Sequence, residues 1–324
     1  MTDAVPAGPA DPRSAAGETL APGGPPPGLP LLPGTDQDEA AAAAKPWALI
    51  GRAFFENKVA LLGLVIVVLI IAFCFLGPLL YHTNQVQTSV LSLNQAPSAK
   101  HPLGTDYVGF DVLGRLMVAG QSSIEIGLAV AVIATSFGVI WGAVSGFFGG
   151  VLDAVMMRVV DIVLAIPALF IFIYLATVFR PTVILLIIVV SALSWVGPAR
   201  LIRGETLSLR VREYIQAVRV MGGSSERMIF RHVVPNAVAT IVVNATFQVA
   251  DAILILATLS FLGFGLPPPA ATWGGMLTNG INYLYDGYWW QVYPAGLIIV
   301  ITVIAFNFIG DGLRDALQVR LQRR

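Results

Sequence analysis

The chain has 324 residues, 56% of them hydrophobic and only 12% charged, with a mean hydropathy of +0.78 and a formal net charge of zero. Soluble domains carry roughly 25% charged residues, so this composition excludes an ordinary water-soluble globule and predicts an integral membrane protein. A neutral total gives no sign of a nucleic-acid partner, the single Cys74 permits no internal disulfide, and His82, His101 and His232 are too scattered in sequence to suggest a metal site.

Residues 1–45 hold nine of the 21 prolines, with runs such as PGGPPPG and AAAAA. Such a stretch cannot bury enough surface to offset its ordering entropy, and it predicts a disordered cytoplasmic tail. Its acidic residues and missing apolar core argue against a secretory signal. Apolar runs follow at about Val59–Leu80, Ile126–Phe148, Val159–Phe179, Thr182–Pro198, Ala237–Leu262 and Val292–Leu313. Each is near the ~20 residues that cross a bilayer as helix. The pattern predicts an all-α membrane protein with six transmembrane helices. Of the 19 Lys and Arg residues, 16 fall on one side of these spans, and only Lys100, Arg115 and Arg180 on the other. Basic residues gather on the cytoplasmic side, which predicts N- and C-termini in the cytoplasm. The expected division is the tail 1–45, a first helix with an extracytoplasmic segment 46–125, and a five-helix core 126–324.

Within the first external segment, Pro102, Gly104, Thr105 and Asp106 are turn and capping chemistry, which gives the stretch a structural role rather than substrate contact. Gly138, Gly142, Gly146 and Gly150 recur every four residues, so one helix face lacks side chains and can meet another helix closely. Only Phe179–Pro181 separate the third and fourth spans, a tight hairpin.

A charged island, residues 199–236, interrupts the apolar runs with seven arginines. Glu205 to Met221 contains no Gly or Pro and predicts one helix, with Tyr214, Val218 and Met221 as an apolar stripe. Gly222 and Gly223 end it, Ser224 or Ser225 caps the next helix, and Pro235 limits that one. In the fifth span Thr240, Asn244, Gln248 and Asp251 share one face. That face either makes interhelical hydrogen bonds or lines a solute path. The cluster Tyr283, Tyr285, Tyr288, Trp289, Trp290 and Tyr293 suits an interfacial belt.

Four blocks of this chain together resemble the permease subunits of bacterial dipeptide/oligopeptide ABC importers. HPLGTDYVGFDVLGR (101–115) is similar to that family's HPLGTD-x-x-GRD-x-x-x-R, with Phe110 where Arg is usual. Ala199, Arg200, Arg203, Gly204 and Glu205, then Arg231, His232, Pro235 and Asn236, bracket the family's cytoplasmic "EAA" loop, with Gln216 and Val218 replacing its Glu and second Ala. LSFLGFGLPPPAATWGGML (259–277) and NFIGDGLRDAL (307–317) follow, with Leu256 where the family has Glu. The resemblance implies a type I ABC importer permease fold and a bacterial inner-membrane location. It implies that Tyr214, Gln216, Ala217, Val218, Arg219, Met221, Gly222 and Gly223 form the surface that couples to an ATPase. It also implies four partners: a homologous permease, two cytoplasmic ATP-binding subunits and an extracytoplasmic substrate-binding protein.

The chain's lysines are Lys45, Lys58 and Lys100, and none follows a Gly as a phosphate-binding loop requires. This polypeptide is therefore expected to be non-catalytic and to hold no cofactor, ATP and magnesium being bound by its partners. The resemblance implies a peptide cargo, with nickel chelates or another small solute as the alternative for the same machinery. An ion-coupled transporter is the alternative from another class, but it would not need the loop around Gly222 and would place paired ionisable residues at the midplane.

Overall fold

The structure, a computed structural model, describes residues 46–322. The expected tail 1–45, with Arg13 and Lys45, and the terminal Arg323 and Arg324 lie outside the described residues. Among those described all the regular secondary structure is helical, the one strand-like contact being the bridge between Thr105 and Asp111.

A short helix that the apolar runs do not announce, α1 (Pro46–Glu56), precedes the first span, α2 (Lys58–Leu80). Asn57 divides them, its Oδ1 accepting from the backbone N–H groups of Val59 at 3.0 Å and Ala60 at 3.2 Å, which caps α2. The next helix, α3 (Val112–Phe148), is 37 residues long and begins at Val112 rather than Ile126. Asp111 caps it by accepting from Gly114 N at 2.8 Å. Polar residues in its first turns hide that beginning from a hydropathy reading, yet they face protein. Gln121 donates to the Cys74 carbonyl at 2.8 Å, and Ser123 Oγ accepts from Trp273 N at 3.2 Å. Paired in this way, Ser123 is buried and Gln121 half-buried at little cost.

The third and fourth expected spans are each bent. Between α4 (Gly150–Ala165) and α5 (Ala168–Val178) the axis turns by 73°. Pro167 is the cause, because it disfavours helical geometry at the residue before it, and Ile166 is extended. Between α6 (Val183–Ser194) and α7 (Val196–Leu209) the turn is 40°, at Trp195. Arg210 to Arg212 then break the helix expected to run from Glu205 to Met221, and α8 (Glu213–Val220) starts afresh. Arg210 belongs instead to α3, whose last carbonyls it binds. Gly146 O accepts from Arg210 Nη1 at 2.9 Å and Phe147 O at 3.3 Å, so a cation sits at a helix C-terminus.

After a helical run over 225–236 come α9 (Val238–Leu259), a wider turn at Ser260–Phe264, α10 (Trp273–Leu284) and α11 (Tyr293–Gln322). Among the described residues four helices are long and apolar enough to cross a membrane, and each of the two bent pairs supplies one more crossing by length and composition. The core lies where α2, α3, α9 and α11 meet, around Cys74, Ile124, Ile253, Trp273 and Phe306. Leu256, which replaces the family's Glu, is buried in a second apolar cluster with Ile126 and Val190.

The small-residue face of α3 finds its partner within the same chain. A Cβ on Gly138 would fall 2.7 Å from the Trp195 carbonyl, one on Gly142 would collide with the Ala199 carbonyl, and one on Gly146 would lie 2.8 Å from the Arg203 carbonyl. So α7 lies in the groove that these glycines leave. Gly150 is not part of it: it has φ +58°, open space around it, and starts α4.

At the other end of α3 the 81–111 segment folds back on itself. Thr105, fully buried, gives its N–H to the Gln95 carbonyl at 2.9 Å and takes Gln95 N on its hydroxyl at 2.8 Å. Trp290 Nε1 donates to the Thr105 carbonyl at 3.0 Å, which ties the segment to the turn before α11. His101 Nδ1 and the Tyr81 hydroxyl each meet Asp111 Oδ2 at 2.8 Å. The expected structural role of this stretch is therefore visible bond by bond. Phe110, in place of Arg, lies beneath the Arg115 guanidinium at 4.4 Å from the ring centre.

Candidate functional site

Two features stand out: a short tethered helix at the α3 C-terminal end, and the polar face of α9. The tether is made of charges. Arg203 on α7 grips Asp153 on α4 with Nε and Nη2, each 2.6 Å from a carboxylate oxygen, and Ser145 Oγ bonds the same carboxylate. Arg200 pairs with Asp161 one helical stretch further on. With Arg210 on α3, these arginines fix α7 and everything that follows it.

On that base stands α8, anchored chiefly by one buried side chain and also by Gln216, whose Nε2 donates to the Arg210 carbonyl at 3.2 Å. Ile215 is fully buried among Val139, Phe147, Ile202, Met228 and Val233, and Val218 packs against the same cluster. Around the rest of the helix Tyr214, Gln216, Ala217 and Arg219 are exposed, and Val220 and Met221 are 88% and 78% exposed. The expected stripe is therefore split: Tyr214 and Met221 face outward while Val218 turns partly in. Ile215 was not singled out by the sequence, although a lone large aliphatic among charged residues is the signal for such an anchor.

The helix ends as its glycines require. Gly223 N donates to the Val218 carbonyl at 2.9 Å and Gly222 N to the Arg219 carbonyl at 3.0 Å, the paired bonds of a left-handed C-terminal cap with Gly222 at φ +79°. Ser224 then caps the next turn, its Oγ accepting from Arg227 N at 3.3 Å. The result is a rigid base presenting an uncovered apolar tip. Exposed aliphatics at the tip of an otherwise satisfied turn are the mark of a contact surface.

The four residues of the polar face on α9 separate into different roles. Gln248 is buried and donates from Nε2 to the Ser194 carbonyl at 3.1 Å. That carbonyl would ordinarily bond the N–H of residue 198, which is proline and has none. Gln248 is thus interhelical glue at the bend of the fourth span. Asn244 Oδ1 is buried without a hydrogen-bond partner, and Thr240 is partly buried. Asp251 is exposed and has neither hydrogen bond nor ion pair among the described residues. With Leu254 and Thr258 of α9 and Leu262 in the turn that follows, it forms an exposed face that nothing among the described residues covers.

A family model described as binding-protein-dependent transport system inner membrane component matches residues 138–323. Another, the N-terminal TM domain of oligopeptide transport permease C, matches residues 45–97. The oligopeptide transport system permease protein OppC of Bacillus subtilis is 41% identical over 270 residues, covering 83% of this chain and 88% of its own. OppC of Escherichia coli K12 is 39% identical over 273 residues, covering 84% and 90%. The dipeptide transport system permease protein DppC of Bacillus subtilis is 36% identical over 272 residues, covering 84% and 85%. Among solved structures, an inward-facing form of the MetNI methionine ABC transporter aligns with a TM-score of 0.51 and 19% identity, covering 63% of this chain and 96% of the matched chain.

Proposed function

This chain belongs to the family of binding-protein-dependent transport system inner membrane components, and from that premise we infer that it is a permease subunit of an ABC importer for oligopeptides or dipeptides. It has the type I ABC importer permease fold and is a multi-pass membrane protein. Membership of this family removes the ion-coupled transporter. The observation that carries the substrate class is the 36–41% identity to oligopeptide and dipeptide permeases across more than four-fifths of the chain.

In this reading the chain sits in the bacterial inner membrane beside a homologous permease, with two ATP-binding subunits on the cytoplasmic side and a substrate-binding protein outside. Tyr214, Gln216, Ala217, Arg219, Met221 and the Gly222–Gly223 turn form the docking face for one ATPase, supported by the exposure of that tip and its firm base. ATP and magnesium belong to those partners, and this subunit does no chemistry. Movement of the docked ATPase is passed by α8 through Ile215 and the arginine tethers to α7, α4 and α3. The uncovered face of α9 with Asp251 faces the second permease or the solute path between the two.

Uptake of radiolabelled trialanine by proteoliposomes holding the whole complex, with ATP inside and the binding protein outside, tests this. ATP-dependent uptake of trialanine is expected. Uptake of a nickel chelate in the same vesicles, with none of peptide, would overturn the peptide reading.

A further inference from the structure

The segment that joins α2 to α3 does not look like a loop made for water. Residues 81–99 contain no Asp, Glu, Lys or Arg, and their aliphatic side chains are turned outward. Val86 is 71% exposed, Val90 81% and Leu91 94%. Leu80, which ends α2, is exposed as well. Single exposed aliphatics are ordinary, but a group of them in a charge-free turn marks a contact.

The turn is firmly built. Ser89 N donates to the Val108 carbonyl at 3.2 Å and Ser92 Oγ to the Gly109 carbonyl at 3.3 Å. Gly109 has φ +89°, and a Cβ there would strike the Ser89 carbonyl. The carbonyl of Ser89 accepts from Ser92 N at 3.2 Å, that of Leu91 from Gln95 Nε2 at 3.2 Å, and that of Ser92 from the Thr105 hydroxyl. These three carbonyls are thus satisfied by protein groups, as backbone must be where water is scarce. The aliphatic side chains alone are left without a cover.

The height of the turn is set by the last span. A Cβ on Gly63 would fall 2.7 Å from the Ala305 carbonyl, and one on Gly312 would collide with Ala60, so α2 and α11 run antiparallel. Leu80 and Tyr293 therefore lie at one end of the bundle, where both helices meet the bilayer surface. Asn94, three residues after Leu91, is pinned there: its Oδ1 accepts from Gln291 Nε2 at 2.7 Å. On either side of Gln291, Trp289 and Tyr293 are exposed, as rings at headgroup depth are.

We propose that this turn is a membrane contact, with Val86, Val90 and Leu91 buried at the boundary between headgroups and acyl chains in the leaflet away from α8. A soluble protein suits the surface less well. Encounter through water is steered and registered by charge, and this stretch has none. A patch covered only by a visiting protein would also stand in water between visits, whereas lipid is always present at the height where Gln291 holds Asn94. Shallow insertion of apolar side chains beside interfacial aromatics is the same physics that holds an amphipathic helix on a bilayer. The contact is independent of the solute carried.

The test uses the unmodified complex in lipid nanodiscs without its binding protein. One sample is photolabelled with an aryl diazirine dissolved in the lipid, a second is exposed to hydroxyl radicals made in the water, and modified residues are located by mass spectrometry. Carbene insertion at Val90 and Leu91 should exceed that at Val220 and Met221, exposed apolar residues at the opposite end, by several-fold. The same two residues should be protected from radicals. Radical oxidation without carbene insertion, lost when the binding protein is added, would assign the turn to that protein, and absence of both reactions would assign it to the second permease. Either result overturns the proposal. Leu91→Asp changes a side chain that is almost wholly exposed, so the fold should stand, while the charge should lift the turn out of the lipid. Carbene yield at Val86 and Val90 should then fall several-fold, and a yield unchanged by that charge would also overturn it.

Discussion

Gln248 on α9 supplies the hydrogen bond that Pro198 on α7 cannot. The Ser194 carbonyl, which has no N–H at residue 198 to receive, takes Gln248 Nε2 at 3.1 Å instead. Two spans are joined at the point where one of them bends. Gln248→Leu should therefore cost about 1–3 kcal/mol, the penalty of an unsatisfied buried carbonyl, read as a lower thermal midpoint of the purified complex. Pro198→Ala restores the missing donor, so the double variant should recover most of that loss. Strictly additive losses would contradict the relationship.

The Arg203–Asp153 pair is bidentate, and a lysine cannot reproduce both bonds. Arg203→Lys should weaken the seat of α7 by about 1–2 kcal/mol and lower substrate-stimulated ATPase activity in a complex of normal stoichiometry. Unchanged stimulation would remove this pair from the coupling route.

Gly222 has open space where a Cβ would stand, so its constraint is the left-handed backbone and not crowding. Gly222→Asn should keep substrate-stimulated ATPase activity, because Asn tolerates that conformation. Gly222→Val should lose it, and Gly222→Asp should also fail through the charge it sets on the docking face. A complex with Gly222→Val that is stimulated as well as the parent would show that the cap is dispensable.

Gly142 is the tightest point between α3 and α7. A leucine there must push the helices apart, and overpacking of this kind costs about 1–3 kcal/mol or more. Gly142→Leu should reduce the amount of permease recovered with its partners, while Gly197→Leu, at a glycine with nothing within 4 Å, should not. Equal recovery of the two would contradict the close approach.

Asp251→Asn keeps the size of the side chain and removes its charge. Because Asp251 makes no hydrogen bond or ion pair among the described residues, folding of the chain itself should be untouched, and peptide uptake should fall or change its preference for charged side chains. Loss of the partner permease from the purified complex, with unchanged preference in what remains, would assign Asp251 to the subunit contact.

The orientation read from the distribution of Lys and Arg has its own test. With Cys74 replaced, single cysteines at Ser98 and Asn279 should react with an impermeant reagent from outside intact cells, and one at Ser225 only after the membrane is opened. External labelling at Ser225 would reverse the topology.

The spans, the glycine groove and the capped turn at Gly222 were legible because each depends on periodicity or on one residue's backbone freedom. What could not be read depended on partners distant in sequence. Gln121 and Ser123 look like the end of a span until Cys74 and Trp273 are seen to receive them. Arg210 looks like one more helical residue until the end of α3 claims it. The polar face of α9 was visible as a set, but only contacts separate Gln248, which holds helices together, from Asp251, which is uncovered. The joining of the 101–115 block to the run after α9 was not legible at all, since Arg115 finds the carbonyls of Pro269 and Ala270 far along the chain.

At 1.5 Å per residue, the 37 residues of α3 span roughly 55 Å. Arg115 stands in its first turn, and Arg210 holds the carbonyls of its last. A single unbroken helix thus reaches from Arg115 to the seat of α8. The bends lie elsewhere, at Pro167 and Trp195, on the third and fourth spans.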